Sequence, residues 1–92
     1  MPKVLIIDDD KDIAELVSLI LKKEKIDSEI INDSLEALTK IEEGKNNYDL
    51  ILLDIMMPNI SGTELCIKIR DKITCPIVFL SAKKELVDKM VG

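Results

Sequence analysis

The chain alternates between short runs of consecutive apolar residues and longer segments in which apolar residues recur every three or four positions. The uninterrupted runs "KVLII" (3–7) and "DLILLD" (49–54) are typical of strands that are covered on both faces of a sheet. "SEIIN" (28–32) is shorter and less apolar, which favours an edge strand. "PIVFLSA" (76–82) predicts a fourth strand, since proline is tolerated where a strand begins.

Helical spacing characterises the segments between these strands. The second helix is predicted to begin at Asp33, which forms a capping box with Glu36, and to end at Gly44. An alternation of strands and helices predicts a parallel sheet with helices on both faces. The apolar stripes of the first, third and fourth helices are formed by Ile13, Leu16, Val17, Ile20 and Leu21, by Leu65, Cys66, Ile69 and Ile73, and by Leu86, Val87, Met90 and Val91.

Three predicted strands lead into polar side chains. Asp8, Asp9 and Asp10 follow the first strand, Asp54 ends the third, and Ser81 lies near the end of the fourth. Ligands of open parallel sheets bind beyond the carboxyl ends of the strands. Grouped carboxylates repel one another, and Mg²⁺ binds carboxylates together with waters and phosphate oxygens. The pattern therefore predicts an Mg²⁺ site that could support phosphoryl transfer to a carboxylate.

Each of these features has a simpler interpretation when it stands alone. An aspartate after a strand often caps the following helix, and this is the role that we expect for Asp10. Asp54 before "IMMP", where the predicted loop "MMPNISG" (56–62) begins, carries little information by itself. The combination is more specific, because two buried strands end in carboxylates and a third ends in a hydroxyl.

Composition narrows the possible functions. The 92 residues suffice for one small domain, and 47% of them are hydrophobic, which argues against disorder. A net charge of −5 disfavours nucleic-acid binding by this chain. No apolar run is long enough to span a membrane, and no signal peptide is visible, so we expect a cytoplasmic protein. Cys66 and Cys75 have no metal-binding spacing and are expected to be reduced thiols.

Three segments, "VLIIDDDKDI", "DLILLDIMMPNISG" and "PIVFLSAK", resemble the receiver domain of bacterial response regulators. The run "LDIMMPNISGTELCIKIR" is most similar to the OmpR/PhoB subfamily, whose receivers control winged-helix DNA-binding domains. The resemblance covers nearly the whole chain. It implies a flavodoxin-like (CheY-like) α/β fold, a doubly wound parallel sheet with strand order 2-1-3-4.

The resemblance also implies a role for particular residues. Asp54 would be the phosphoacceptor, and Asp8 and Asp9 would be the acidic pair that holds Mg²⁺. The backbone carbonyl of Met56 would be a further Mg²⁺ ligand, and Ser81 would be the switch hydroxyl that binds a phosphoryl oxygen. A sensor histidine kinase would donate the phosphoryl group. The domain would assist its own phosphorylation without being an enzyme with turnover.

The chain departs from this family at its carboxyl end. Receivers normally have five strands and five helices, whereas this sequence reaches Gly92 at about the fourth helix. On this resemblance, residues 1–92 are expected to include neither the lysine of strand five that contacts the phosphoryl group nor an output domain. We therefore expect residues 1–92 to be a receiver truncated before the fifth strand, with impaired phosphorylation. We also expect a dimer or swapped assembly, in which the strand at 76–80 or the helix near 84–91 contacts another chain.

Two other functions stay open at this level. The motif Asp8-x-Asp10 resembles the start of the haloacid dehalogenase class of phosphohydrolases, with Asp8 as the nucleophile. Asp12 stands where that motif prefers threonine or valine, and the chain is too short for the remaining motifs. The other possibility is an interaction module without phosphoryl chemistry.

Overall fold

A computed structural model describes residues 2–44 and 47–80, which contain a four-stranded parallel sheet with helices on both faces. The strand order is β2-β1-β3-β4, so the predicted sheet and its order are confirmed. A 3₁₀ turn at Arg70–Lys72 follows the third helix. The elements are β1 (Lys3–Ile7), α1 (Lys11–Lys23), β2 (Asp27–Ile31), α2 (Ser34–Glu42), β3 (Leu50–Asp54), α3 (Gly62–Ile69) and β4 (Ile77–Leu80).

The sheet separates two apolar layers. Successive side chains of a strand point to opposite faces, so the continuous apolar run of β1 is buried on both sides. One layer contains Leu5 and Ile7 together with α2 and α3, and the other contains Val4 and Ile6 together with α1. The central strands β1 and β3 are thereby fixed by packing on both faces. The packing therefore fixes the carboxyl ends of these two strands, from which the residues after them extend.

The prediction for the third helix was wrong at its end. Ile73 was placed on the helical stripe, but α3 ends at Ile69, and Ile73 has an extended backbone with φ −133° and ψ 153°. Ile73 is nevertheless only 8% exposed. The guanidinium of Arg70 donates to the carbonyl oxygens of Ile73 and Cys75, at 3.4 and 2.8 Å, and so stabilises the turn. Ile69 and Ile73 fit a helical spacing of four residues because both are buried, and not because one helix contains both.

The helix termini follow the sequence signals. Asp10 is the N-cap of α1, and its carboxylate accepts from the amide of Ile13 at 3.2 Å. Asp33 is the N-cap of α2 and accepts from the amide of Glu36 at 3.3 Å. Gly44 follows α2 with φ +84°, a left-handed conformation that glycine adopts without a steric penalty.

A buried tyrosine explains the polar residue in the middle of β2. The Tyr48 hydroxyl donates to the Glu29 carboxylate at 2.9 Å, and the Lys40 ammonium of α2 lies 2.6 Å from the same group. Burial raises the pKa of Glu29, but the hydrogen bonds from Lys40 and Tyr48 and the positive charges of Lys40 and Lys3 together outweigh it, so this pKa lies below its usual value. Burial and the bond to Glu29 raise the pKa of Tyr48 to about 12, so Tyr48 stays a donor at neutral pH.

The predicted elements near the carboxyl end of the chain cannot be compared with the structure. Ser81, the last residues of the predicted fourth strand and the predicted fourth helix lie outside the described residues. Among the helices that the structure does describe, none has the length and apolar character needed to cross a bilayer.

Candidate metal and phosphoacceptor site

Three carboxylates meet at the carboxyl edge of the sheet. Asp54 is the last residue of β3, while Asp8 and Asp9 directly follow β1. These strands are neighbours in parallel register, with Ile7 opposite Leu53, so their ends coincide. One carboxylate oxygen from each of the three aspartates lies within 4.8 Å of the other two. The structure thus brings together the three acidic residues that the sequence predicted to be close.

Backbone amides orient the two buried carboxylates. Asp8 is fully buried and Asp54 is 1% exposed, whereas Asp9 is partly exposed. The Asp8 carboxylate accepts from the amide of Asp10 at 2.9 Å, and the Asp54 carboxylate accepts from the amide of Met56 at 3.2 Å. In both cases an aspartate binds the backbone two residues further along, as in Asx turns. The carboxylates are therefore held in place before any ligand arrives.

The segment that carries Asp8 is also fixed through its backbone. The amide of Asp8 donates to the carbonyl of Ile31 at 3.1 Å, which extends the pairing of β1 with β2. The side-chain amide of Asn32 donates to the Asp8 carbonyl at 2.8 Å. Sequence reasoning missed Asn32. Its position just past the end of β2, next to the acidic edge, was the only available signal.

The loop between β3 and α3, residues 55–61, contacts the site at Asp54. Its amide at Met56 binds Asp54, and the amide of Gly62 donates to the carbonyl of Ile55 at 2.9 Å. The Met56 side chain is 74% exposed and Met57 packs against the core. The expected role of the Met56 carbonyl as a metal ligand stays a prediction.

The donor set fits a hard divalent cation such as Mg²⁺. Two buried carboxylates beside a third concentrate negative charge, which a divalent cation would offset. All three side chains offer oxygen, which Mg²⁺ prefers, and the chain contains no histidine that would favour a softer metal. Asp8, Asp9 and Asp54 are thus the residues that would hold such an ion.

Asp10 does not join this cluster in a catalytic role. Its carboxylate accepts from the amides of Asp12 and Ile13, at 3.0 and 3.2 Å, and caps α1. A phosphohydrolase that used Asp8 as the nucleophile would need Asp10 directed at its substrate. The local geometry therefore disfavours the phosphohydrolase interpretation.

Comparison with known proteins decides the family. The family model for the response regulator receiver domain matches residues 4–91. The chain belongs to this family. Phosphorylation on an aspartate is the role of the family, which makes the receiver domain a signalling module rather than an enzyme with turnover.

Among similar proteins, response regulator ArlR of Staphylococcus saprophyticus is 42% identical over 92 residues, which are 100% of this receiver domain and 41% of ArlR. The DNA-binding response regulator MtrA of Mycolicibacterium paratuberculosis is 38% identical over 90 residues, which are 98% of this chain and 39% of MtrA. The chain therefore spans about two fifths of the length of these curated relatives.

Solved structures give the same fold. A two-component response regulator from Clostridium difficile superposes with a TM-score of 0.78 and 34% sequence identity, covering 99% of this chain and 76% of that one. The described strands and helices thus form the flavodoxin-like, CheY-like architecture that the resemblance implied.

Proposed function

We propose that Asp54 accepts a phosphoryl group from a sensor histidine kinase, with Mg²⁺ held by Asp8, Asp9, Asp54 and the backbone carbonyl of Met56. The observation that carries this proposal is the grouping of three carboxylates within 4.8 Å at the end of the central strands. We assign Asp54 as the acceptor because this aspartate at the end of β3 matches the phosphoacceptor position of the receiver family, whereas Asp8 and Asp9 match its metal-binding pair.

The reaction is a substitution at phosphorus. A carboxylate oxygen of Asp54 forms the new bond to phosphorus while the bond to the donor's leaving group breaks, which gives an acyl phosphate. A bound divalent cation would neutralise charge on the phosphoryl oxygens. Asp8 and Asp9 supply the negative charge that retains such a cation, and the hydroxyl of Ser81 would donate to a phosphoryl oxygen. The domain would in this way assist its own phosphorylation by a small donor.

We infer that residues 1–92 form one receiver domain whose phosphorylation controls an output elsewhere in a longer regulator. The similarity to proteins more than twice as long supports this, since MtrA is described as a DNA-binding response regulator. An OmpR/PhoB-type winged-helix output fits the run "LDIMMPNISGTELCIKIR". The net charge of −5 favours DNA contact through that output rather than through this domain.

A test of the function is to incubate the protein with Mg²⁺ and acetyl phosphate and to weigh the intact chain. The proposal predicts a mass gain of one phosphoryl group with Mg²⁺ present, and no gain when EDTA is present throughout the incubation. An unchanged mass under all conditions would favour an interaction module without phosphoryl chemistry.

We predict that replacement of Asp9 by alanine weakens Mg²⁺ binding about tenfold, because one carboxylate ligand is lost from a small donor set. NMR titration that follows the backbone amides near Asp54 measures the affinity. Asp12→Ala is the matched control, because Asp12 is an exposed aspartate of the same segment. Equal affinities of the two variants would show that Asp9 is not a ligand.

We also propose that the domain self-associates through β4. This strand is one of the two edge strands of the described sheet, so its outer edge can pair with another chain. Sedimentation velocity at micromolar concentration should show a dimer or larger species, and a sharp monomer boundary would contradict it. Large apolar side chains exposed in the described part of the chain, on β4 and on α1, are Val78, Phe79, Leu16, Leu19 and Ile20.

A further inference from the structure

One hydroxyl from α2 holds the middle of the loop at residues 55–61. We propose that Ser34 is a positioning residue, which fixes this loop so that the Met56 segment and Asp54 keep the arrangement needed for metal binding. The inference rests on the proposed function, because it concerns the same Mg²⁺ site. It goes further by assigning a role to a residue outside the acidic cluster.

The hydroxyl uses both of its hydrogen-bonding capacities across a long sequence separation. Ser34 is the first residue of α2 and is only 2% exposed. Its oxygen donates to the carbonyl of Pro58 at 3.1 Å and accepts from the amide of Ile60 at 3.3 Å. A single buried side chain therefore satisfies two backbone groups of a loop 24 and 26 residues away.

These two backbone groups flank one strained residue. The Pro58 carbonyl belongs to the peptide before Asn59, and the Ile60 amide belongs to the peptide after it. Asn59 has φ +69°, a left-handed conformation that is unfavourable for residues other than glycine, although asparagine tolerates it better than most. Because Ser34 binds the peptide group on each side of Asn59, it stabilises this left-handed conformation.

Both ends of the loop are already attached to the site. The Met56 amide binds the Asp54 carboxylate, and the Gly62 amide binds the Ile55 carbonyl. Between these attachments, Met57 and Ile60 pack against the core, and the Ser34 hydroxyl binds the backbone at Pro58 and Ile60. Pro58 lies two residues after Met56, so release of its carbonyl gives Met56 freedom to move. That movement would disturb both the proposed carbonyl ligand and the amide that orients Asp54.

Capping of α2 does not account for the hydrogen bonds of the Ser34 hydroxyl. The N-cap of α2 is Asp33, whose carboxylate accepts from the amides of Leu35 and Glu36. Loss of the Ser34 hydroxyl leaves this cap intact. What it removes is the connection between α2 and the loop.

The test compares Ser34→Ala with Ser18→Ala in metal-free and Mg²⁺-loaded protein. Ser18 is a matched control because its hydroxyl lies 2.6 Å from that of Ser28 and links α1 to β2, away from the loop. We expect Ser34→Ala to weaken Mg²⁺ binding five- to tenfold and to speed amide exchange at Ile60 about tenfold without metal. Ser18→Ala should change neither the Mg²⁺ affinity nor the exchange at Ile60, even if it lowers the melting temperature as much as Ser34→Ala does. If the alanine variant fails to fold, Ser34→Cys under reducing conditions serves instead, since a thiol conserves volume but hydrogen-bonds weakly.

The outcomes separate this inference from the function on which it rests. Unchanged Mg²⁺ affinity and unchanged Ile60 exchange in Ser34→Ala would overturn the positioning role and leave the function standing. Equal losses of affinity in Ser34→Ala and Ser18→Ala would also overturn it, because general destabilisation would then explain both. Failure of the unsubstituted protein to bind Mg²⁺ would instead overturn the proposed function and this inference with it.

Discussion

Replacing Gly62 by alanine should destabilise the domain by about 3 kcal/mol or more, the upper range for overpacking. A Cβ at this position would overlap the carbonyl oxygen of Asp54 and lie 2.7 Å from the Cα of Ile55. Both are backbone atoms at the end of β3, so no side chain can rotate out of the way. Either α3 or the end of β3 must shift, and we expect Mg²⁺ binding to be lost as well.

Gly44→Ala is the control for this effect. Gly44 has φ +84°, but a Cβ at this position would have no heavy atom within 4 Å, so only the backbone strain remains. That strain costs about 1–2 kcal/mol. Urea denaturation of both variants measures the two losses. If Gly62→Ala were no less stable than Gly44→Ala, the close approach of α3 to β3 would not be a structural requirement.

Replacing Asp54 by asparagine should abolish the mass gain with acetyl phosphate and Mg²⁺. The amide has nearly the shape of the carboxylate, so the fold should persist, but it lacks the nucleophilic charge needed to form an acyl phosphate. Intact-mass spectrometry measures the result. Asp71→Asn is the control, because Asp71 is an exposed aspartate on the 3₁₀ turn and should leave phosphorylation unchanged.

Phosphorylation that requires Asp8 instead of Asp54 would favour the phosphohydrolase interpretation. If Asp54→Asn still gained a phosphoryl group and Asp8→Asn did not, Asp8 would be the nucleophile, as in the phosphohydrolase interpretation. The cap formed by Asp10 argues against this, since its carboxylate is already bonded to the first turn of α1.

Local sequence signals predicted the elements well where one physical constraint dominated. The run at 3–7 is buried on both faces, so its lack of alternation indicated a central parallel strand. Asp33 and Gly44 marked the ends of α2 because caps are local hydrogen-bonding and backbone requirements. Ile73 was misplaced because helical spacing does not distinguish a residue on a helix from a buried residue just beyond it.

The acidic cluster could be predicted because parallel strands align their carboxyl ends, which brings Asp8 and Asp54 together. The hydrogen bonds that support the cluster could not be predicted from the sequence. Ser34 and Pro58 are 24 residues apart, and nothing in either local sequence indicates that they meet. The same holds for Asn32 and the Asp8 carbonyl. These contacts depend on how α2 and the loops pack after the sheet has formed.

We expect the phosphoryl group to be carried by the Asp54 carboxylate. Borohydride reduces an acyl phosphate to an alcohol, so treatment of the phosphorylated protein converts the acceptor aspartate to homoserine. Peptide mapping by tandem mass spectrometry then locates the modified position. We predict homoserine at position 54 and at no other aspartate. Homoserine at position 8 or 9 with position 54 unmodified would show that Asp54 is not the phosphoacceptor.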